Sequence, residues 1–160
     1  MSMETLTVWI ATGFGLGHLP WAPGTVGSLL GLPLAWWILG RSRQVQLGVS
    51  AMLLVIGVPV CHVASAALGG GDVQSIVADE FLAFPVAVLG LAALRRPWAM
   101  AGVFVIYRFF DITKPPPINQ LESLGGGLGI MLDDTVAALY TWLVLVVCLL
   151  LWRRWHARRA

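Results

Sequence analysis

Two adjacent pairs of acids, Asp79-Glu80 and Asp133-Asp134, are the side chains of this 160-residue chain best placed to do chemistry. Each pair stands where an apolar run begins, so both pairs are expected at helix N-termini. A single Asp satisfies an N-cap, and a second acid beside it asks for another role. Asp72 precedes Asp79 by seven residues, two turns along one face if that segment is helical. Carboxylates that converge repel one another, and a bound divalent cation relieves the repulsion. Mg²⁺ suits such a set because it takes one or two carboxylates, several waters and phosphate oxygens.

The second acidic pair closes the stretch Arg108–Asp134, RFFDITKPPPINQLESLGGGLGIMLDD. It holds Arg108, Asp111 and Lys114, three consecutive prolines and three consecutive glycines, between two apolar runs. The prolines cannot continue a helix. The glycines allow tight turns and let N–H groups approach an anion. Residues 12–28, TGFGLGHLPWAPGTVGS, form another glycine-rich loop with Thr25 or Ser28 placed to cap the helix that follows. That loop lacks both the dinucleotide fingerprint and the G-K-[ST] of a P-loop. It is either a flexible lead-in or, with the helix start behind it, a generic anion site. His18, alone, reads as a solvated loop residue. Carboxylates, an Arg–Lys pair and N–H-rich loops together make an inventory for phosphate-ester chemistry.

Other phosphatase chemistries fail for want of residues. Cys61 has no Arg six positions on, the Arg154 six past Cys148 follows the apolar run Leu149–Trp152 rather than an anion-binding loop, no D-x-D-x-T/V occurs, and the stretches of histidine-dependent lipid phosphatases are missing. The two cysteines lie in apolar runs and read as buried thiols rather than a disulfide or metal pair. His62, inside the second apolar run, is either a functional intramembrane residue or a hydrogen-bonded structural one.

The elements that must position these residues are hydrophobic. The composition is 58% apolar and 11% charged, with eight Trp, and the mean hydropathy is +0.83. Soluble domains carry about 25% charged residues, and Trp collects at membrane interfaces. The expected fold is all-α: a multi-pass helical membrane protein with about four to five short membrane helices and one polar site face. Residues 1–160 form a single domain with spans at about 26–40, 47–68, 81–94, 97–110 and 135–152. A full span takes about 20 residues, so the runs at 81–94 and 97–110, split by Arg95-Arg96-Pro97, read as a thin or partly re-entrant helical hairpin. Thr5–Ala11 suits a short interfacial helix, and Glu4 sits where a secretory signal would need a base.

Threading these runs back and forth sorts the charges. All eight acidic residues, with Arg108 and Lys114, fall on one face. The other eight basic residues, Arg41, Arg43, Arg95, Arg96, Arg153, Arg154, Arg158 and Arg159, fall on the opposite face. Residues 12–28, 71–80 and 108–134 thus meet at one surface as a composite site.

The motifs GLGHLPWAPGTVGSLLGLP, DVQSIVADEF and D-I-T-K-P-P-P-I with downstream G-G-L-G-I-M-L-D-D, followed by Tyr140, resemble the phosphatidylglycerophosphatase A family. The resemblance runs in order over about residues 13–140. Ala83 and Ala138 stand where relatives are expected to carry Gly. It implies a Mg²⁺-dependent, multi-pass enzyme of the bacterial inner membrane that converts phosphatidylglycerophosphate to phosphatidylglycerol. On that basis Asp79, Glu80, Asp133, Asp134 and Asp72 are expected to hold Mg²⁺. Asp79 and Asp134 then take part in catalysis, with Asp111 as a further ligand or the base for water. Arg108 and Lys114 are expected to clamp the phosphate, helped by Gly24, Thr25 and His18, while the apolar runs hold the acyl chains. Partners are the phospholipid substrate and membrane lipid, with no nucleic acid. The alternatives are a phosphatase for another lipid phosphate, such as phosphatidic acid, and a non-enzymatic cation-binding carrier or channel.

Overall fold

The computed structural model describes residues 2–71, 73–121 and 124–159. Among these, the secondary structure is helical throughout. The α-helices are α1 Met3–Ala11, α2 Pro23–Ile38, α3 Arg43–Ala67, α4 Ala78–Ala83, α5 Pro97–Thr113, α6 Ile118–Leu121 and α7 Gly126–Ala157. Ser2 and Ser42 cap α1 and α3 through their hydroxyls. α2 and α5 begin with proline, whose missing N–H costs nothing in a first turn. The expected Thr25 or Ser28 cap on α2 is not formed. The helix starts at Pro23, with Ala22 ahead of it in the left-handed region at φ 44°.

α3 and α7 form the most extensive helix pair. They have 25 and 32 residues, and both are long and apolar enough to cross a membrane. At 1.5 Å per residue they extend about 38 and 48 Å, more than a hydrocarbon core of about 30 Å. Most of their apolar stretches face outward, through residues such as Val55, Leu143 and Leu151. α2 is a shorter apolar helix.

The run at 81–94 is not one helix. α4 lasts six residues, a 3₁₀ turn spans Phe84–Val88, Gly90 turns the chain at φ +73°, and a second 3₁₀ turn spans Ala92–Leu94. Pro85 has no N–H to continue the helix. This broken segment is the most enclosed part of the chain, with Val77, Ala78, Ala83, Phe84, Ala87 and Val88 fully buried. Irregular backbone needs partners when buried, and the long helices supply them. Gln46 Oε1 accepts from Gly90 N at 2.8 Å, and Trp142 Nε1 donates to Leu89 O at 2.8 Å. Phe84 meets Tyr107 edge-on, 5.1 Å between centroids. Ala83 and Ala138 are both fully enclosed, which explains why only small side chains suit these places.

The segments run alternately between two ends. At one, Arg43 and Arg153 line a common cleft beside Gly90, and Arg95 Nε donates to Trp36 O at 3.2 Å. At the other, the segments 20–24, 74–80 and 108–114 meet the start of α7. Cys61 is buried as expected, whereas Cys148 is exposed on α7.

Candidate active site

The polar end encloses a cavity of about 460 Å³. α4 supplies Asp79 and Glu80 from its first turn. α5 supplies Arg108 and Asp111 from its C-terminal half, with Lys114 just beyond. α7 supplies Asp133 and Asp134, and Ala22, Pro23 and Gly24 close the side. All three polar stretches of the sequence therefore contribute. One placement differs from expectation: α7 begins at Gly126, so Asp133 and Asp134 sit about two turns inside the helix rather than at its start. Gly127 permits this, since a Cβ there would stand 2.1 Å from Val58 O. The first turns of α7 can consequently press against α3, and the acids ride inward with them.

The four paired carboxylates are all buried, at 6% exposure for Asp79, 9% for Glu80, 5% for Asp133 and 3% for Asp134. Among the described residues that line the cavity, two are cations, Arg108 and Lys114. Arg108 Nη1 donates to Glu80 Oε1 at 3.1 Å, to Ser28 Oγ at 3.2 Å and to Asp111 Oδ2. Lys114 Nζ donates to Asp133 Oδ2 at 2.8 Å, while Asp133 Oδ1 accepts the Asp134 backbone N–H at 2.9 Å. Asp134 Oδ1 and Arg108 Nε are buried with no hydrogen-bond partner among the described residues. Burial pushes the Glu80 carboxyl up to about 8, against the opposing pull of Arg108, with Asp111 adding to the rise. A cluster this short of counter-charge is poised for a cation and an anion together.

Ser28 is fully buried, 3.1 Å from Glu80 Oε2 and 2.9 Å from Gly24 O. Its one proton goes to either acceptor while its oxygen receives Arg108. Gly24 makes room for this arrangement, because a Cβ there would stand 2.1 Å from Glu80 Oε1. Gly24 thus lines the cavity and also allows the carboxylate to lie against α2. Tyr107, fully buried, places its hydroxyl 3.4 Å from Glu80 O. Ala22 and Lys114 both have positive φ, 44° and 40°. Left-handed non-glycine residues are uncommon and cluster where surroundings over-determine them, and here both border the cavity.

Other expected residues lie elsewhere. His18 is exposed and Thr25 half-buried, and neither lines the cavity; the Thr25 N–H is taken by Ala22 O at 2.9 Å. His62 is exposed on α3 beside Gly126, also away from the cavity. Asp72 and Glu122 fall outside the described residues. Asp111 lines the cavity but is engaged by Arg108. Ser28, Tyr107 and Gln74 were not expected at the site. For Ser28 the signal was present: Gly24, Gly27, Ser28 and Gly31 put small residues on one face of α2, as close helix contacts require.

The donor set fits a hard divalent cation in type, with hard oxygens and one buried, unsatisfied carboxylate oxygen. Among the described residues no three Asp, Glu, His or Cys groups form a closed cage. Mg²⁺ needs none, since it keeps waters and shares substrate oxygens.

Residues 9–149 match the family model described as phosphatidylglycerophosphatase A. The chain is 39% identical over 137 residues to a phosphatidylglycerophosphatase A of Haemophilus influenzae, covering 84% of this chain and 83% of the relative. It is 39% identical over 129 residues to the protein of that name from Escherichia coli, covering 80% and 74%. A putative phosphatidylinositol-3-phosphatase of Bacteroides thetaiotaomicron is 31% identical over 147 residues, covering 89% and 92%. No solved structure matches.

Proposed function

The chain belongs to the phosphatidylglycerophosphatase A family, and from that premise we infer that it hydrolyses the terminal phosphate monoester of phosphatidylglycerophosphate to phosphatidylglycerol and inorganic phosphate. The observation that carries this reading is the single cavity in which four buried carboxylates face Arg108 and Lys114. A phosphate monoester needs cationic donors for its oxygens and a group that orients water for in-line attack.

Within that cavity Arg108 and Lys114 would bind the phosphate. Arg108 has an uncommitted Nε donor, and Lys114, held by Asp133, is the more accessible of the two. Asp111 and Ser28 would keep the guanidinium aimed, each through its contact with Nη1. Asp134, with a free Oδ1, would accept the proton of the attacking water. Asp79, Asp133, Asp134 and Glu80 would hold Mg²⁺, which when bound neutralises charge on the phosphate oxygens and acidifies water. Glu80 would bind it as the carboxylate, a state that a cation favours against the cost of burial.

The two long apolar helices support placement in the bacterial plasma membrane. In this reading α2, α3, α5 and α7 cross the bilayer, and residues 81–94 thread the protein interior. Buried irregular backbone is tolerated at membrane depth on that condition.

The test is phosphate release by the detergent-purified chain from phosphatidylglycerophosphate, phosphatidic acid and phosphatidylinositol 3-phosphate, with and without Mg²⁺. Fastest, Mg²⁺-dependent release from phosphatidylglycerophosphate is expected. The Bacteroides relative favours one second reading, a phosphatase for an inositol lipid, and faster release from that substrate would establish it. No release from any lipid phosphate would overturn both readings in favour of a cation-binding carrier.

A further inference from the structure

The arginine end holds a second concavity that hydrolysis leaves unused. A cleft of about 380 Å³ opens between α3 and α7, with Leu47, Leu89, Leu139 and Trp142 on its walls and Arg43 at its rim. A neighbouring cleft of about 350 Å³ shares Arg43, Gly90 and Leu91 with the first and reaches Arg153. Together they make one trough, largely apolar, with two guanidiniums. Leu139, Trp142, Val146, Leu149 and Arg153 recur every three or four residues, so one stripe of α7 lines its length.

Other polar groups of the trough are satisfied internally. Gln46 Nε2 donates to Arg41 O at 2.9 Å and its Oε1 accepts from Gly90, while the Trp142 indole N–H is bound to Leu89 O. Of the neighbouring arginines, Arg41 and Arg95 lie over Trp37 and Trp36. Arg43 and Arg153 have neither an aromatic face nor an ion pair among the described residues. Five of the described acids, Asp79, Glu80, Asp111, Asp133 and Asp134, line the cavity at the opposite end, and no described acid lines the trough. The trough shares no lining residue with that cavity.

We propose that this trough binds one anionic phospholipid of the surrounding membrane, its phosphate at the Arg43–Arg153 end and an acyl chain along Leu139 and Trp142. A free anion would use the arginines and leave the apolar walls idle, whereas a neutral lipid would do the reverse. The proposal rests on the membrane placement argued above and not on the hydrolytic reading.

The test is native mass spectrometry of the full chain in nonionic detergent, with phosphatidylglycerol or phosphatidylcholine of the same acyl chains. An Arg108→Ala chain is run in parallel to subtract lipid held at the hydrolytic cavity. The expected result is one lipid retained about tenfold better when anionic, as two arginines near a membrane surface can provide. The preference should vanish in the double variant Arg43→Gln, Arg153→Gln and persist in Arg43→Lys, Arg153→Lys. Leu139→Trp, which fills the trough without changing charge, should reduce retention of both lipids. Turnover and melting temperature should stay at wild-type values in all three. Equal retention of the two lipids by the parent chain, or undiminished preference in the double Gln variant, would overturn the proposal. A chain lacking phosphatase activity would still answer this test.

Discussion

Arg108 Nη1 lies 3.1 Å from Glu80 Oε1, tying the C-terminal half of α5 to the first turn of α4 across 28 residues of sequence. Around this pair the cavity has more negative than positive groups. The remaining imbalance is the reason a bound cation and a bound phosphate would each stabilise the other.

Asp134→Asn and Asp79→Asn each test the carboxylate set. Asn keeps the shape but supplies neither charge nor a proton acceptor of useful basicity. Turnover is expected to fall about a hundredfold or more, with the protein still folded in detergent by circular dichroism. Near-parental rates at saturating Mg²⁺ would remove these residues from the mechanism.

Arg108→Ala is expected to raise KM and lower kcat together, since the guanidinium both binds phosphate and anchors Glu80. Lys114→Arg should be only partly tolerated, because a planar fork does not replace a point charge. Steady-state kinetics on both variants check this, and unchanged constants in the Ala variants of both positions would move the phosphate clamp elsewhere.

Gly24→Ala probes the packing of α2 against the site. Its Cβ would press on Glu80 Oε1 at 2.1 Å, so the carboxylate must shift. The expected cost is about 1–3 kcal/mol of stability, read by thermal unfolding, with loss of turnover. Leu29→Ala, on the exposed side of the same helix, should leave turnover unchanged.

Glu80 gives a pH signature. Its carboxyl is raised from 4.5 to about 8, so the folded state binds the proton more tightly than the unfolded state. Its contribution to stability is full below pH 4.5 and is lost as pH rises toward 8. In Mg²⁺-free buffer the melting temperature should decline over that window. Glu80→Gln should flatten that component of the decline, and an unaltered slope in the variant would assign it to other groups.

Sidedness is checked by single cysteines at positions 18, 114, 42 and 95, in a chain lacking Cys61 and Cys148. A membrane-impermeant thiol reagent on intact cells should label 18 and 114 alike, and 42 and 95 alike, on the opposite side. Labelling of 18 and 114 from different sides would break the two-ended arrangement, whichever end faces the cytoplasm.

The helical class, the apolar long runs at 47–68 and 135–152 and the polar stretches that build the site were legible in the sequence. Each depends on composition and on local backbone preferences, and those are properties of neighbouring residues. The convergence of Asp79-Glu80 with Asp133-Asp134 could be anticipated from antiparallel threading, since every acid fell on one face. What only the tertiary structure decided were the distances and the partners. Gly127 lets α7 start early against α3, which carries Asp133 and Asp134 two turns into the helix. Pro85 and Gly90 turn the run at 81–94 into a buried, broken segment, and its backbone is satisfied by Gln46 and Trp142 from distant helices. Ser28 looked like a cap and became a bridge between Glu80 and Arg108, while His18 and Thr25, beside Gly24 in a glycine-rich loop, fell outside the cavity. Periodicity assigns a residue to a helix, but which neighbour fills the space beside it depends on the contact of surfaces far apart in the chain.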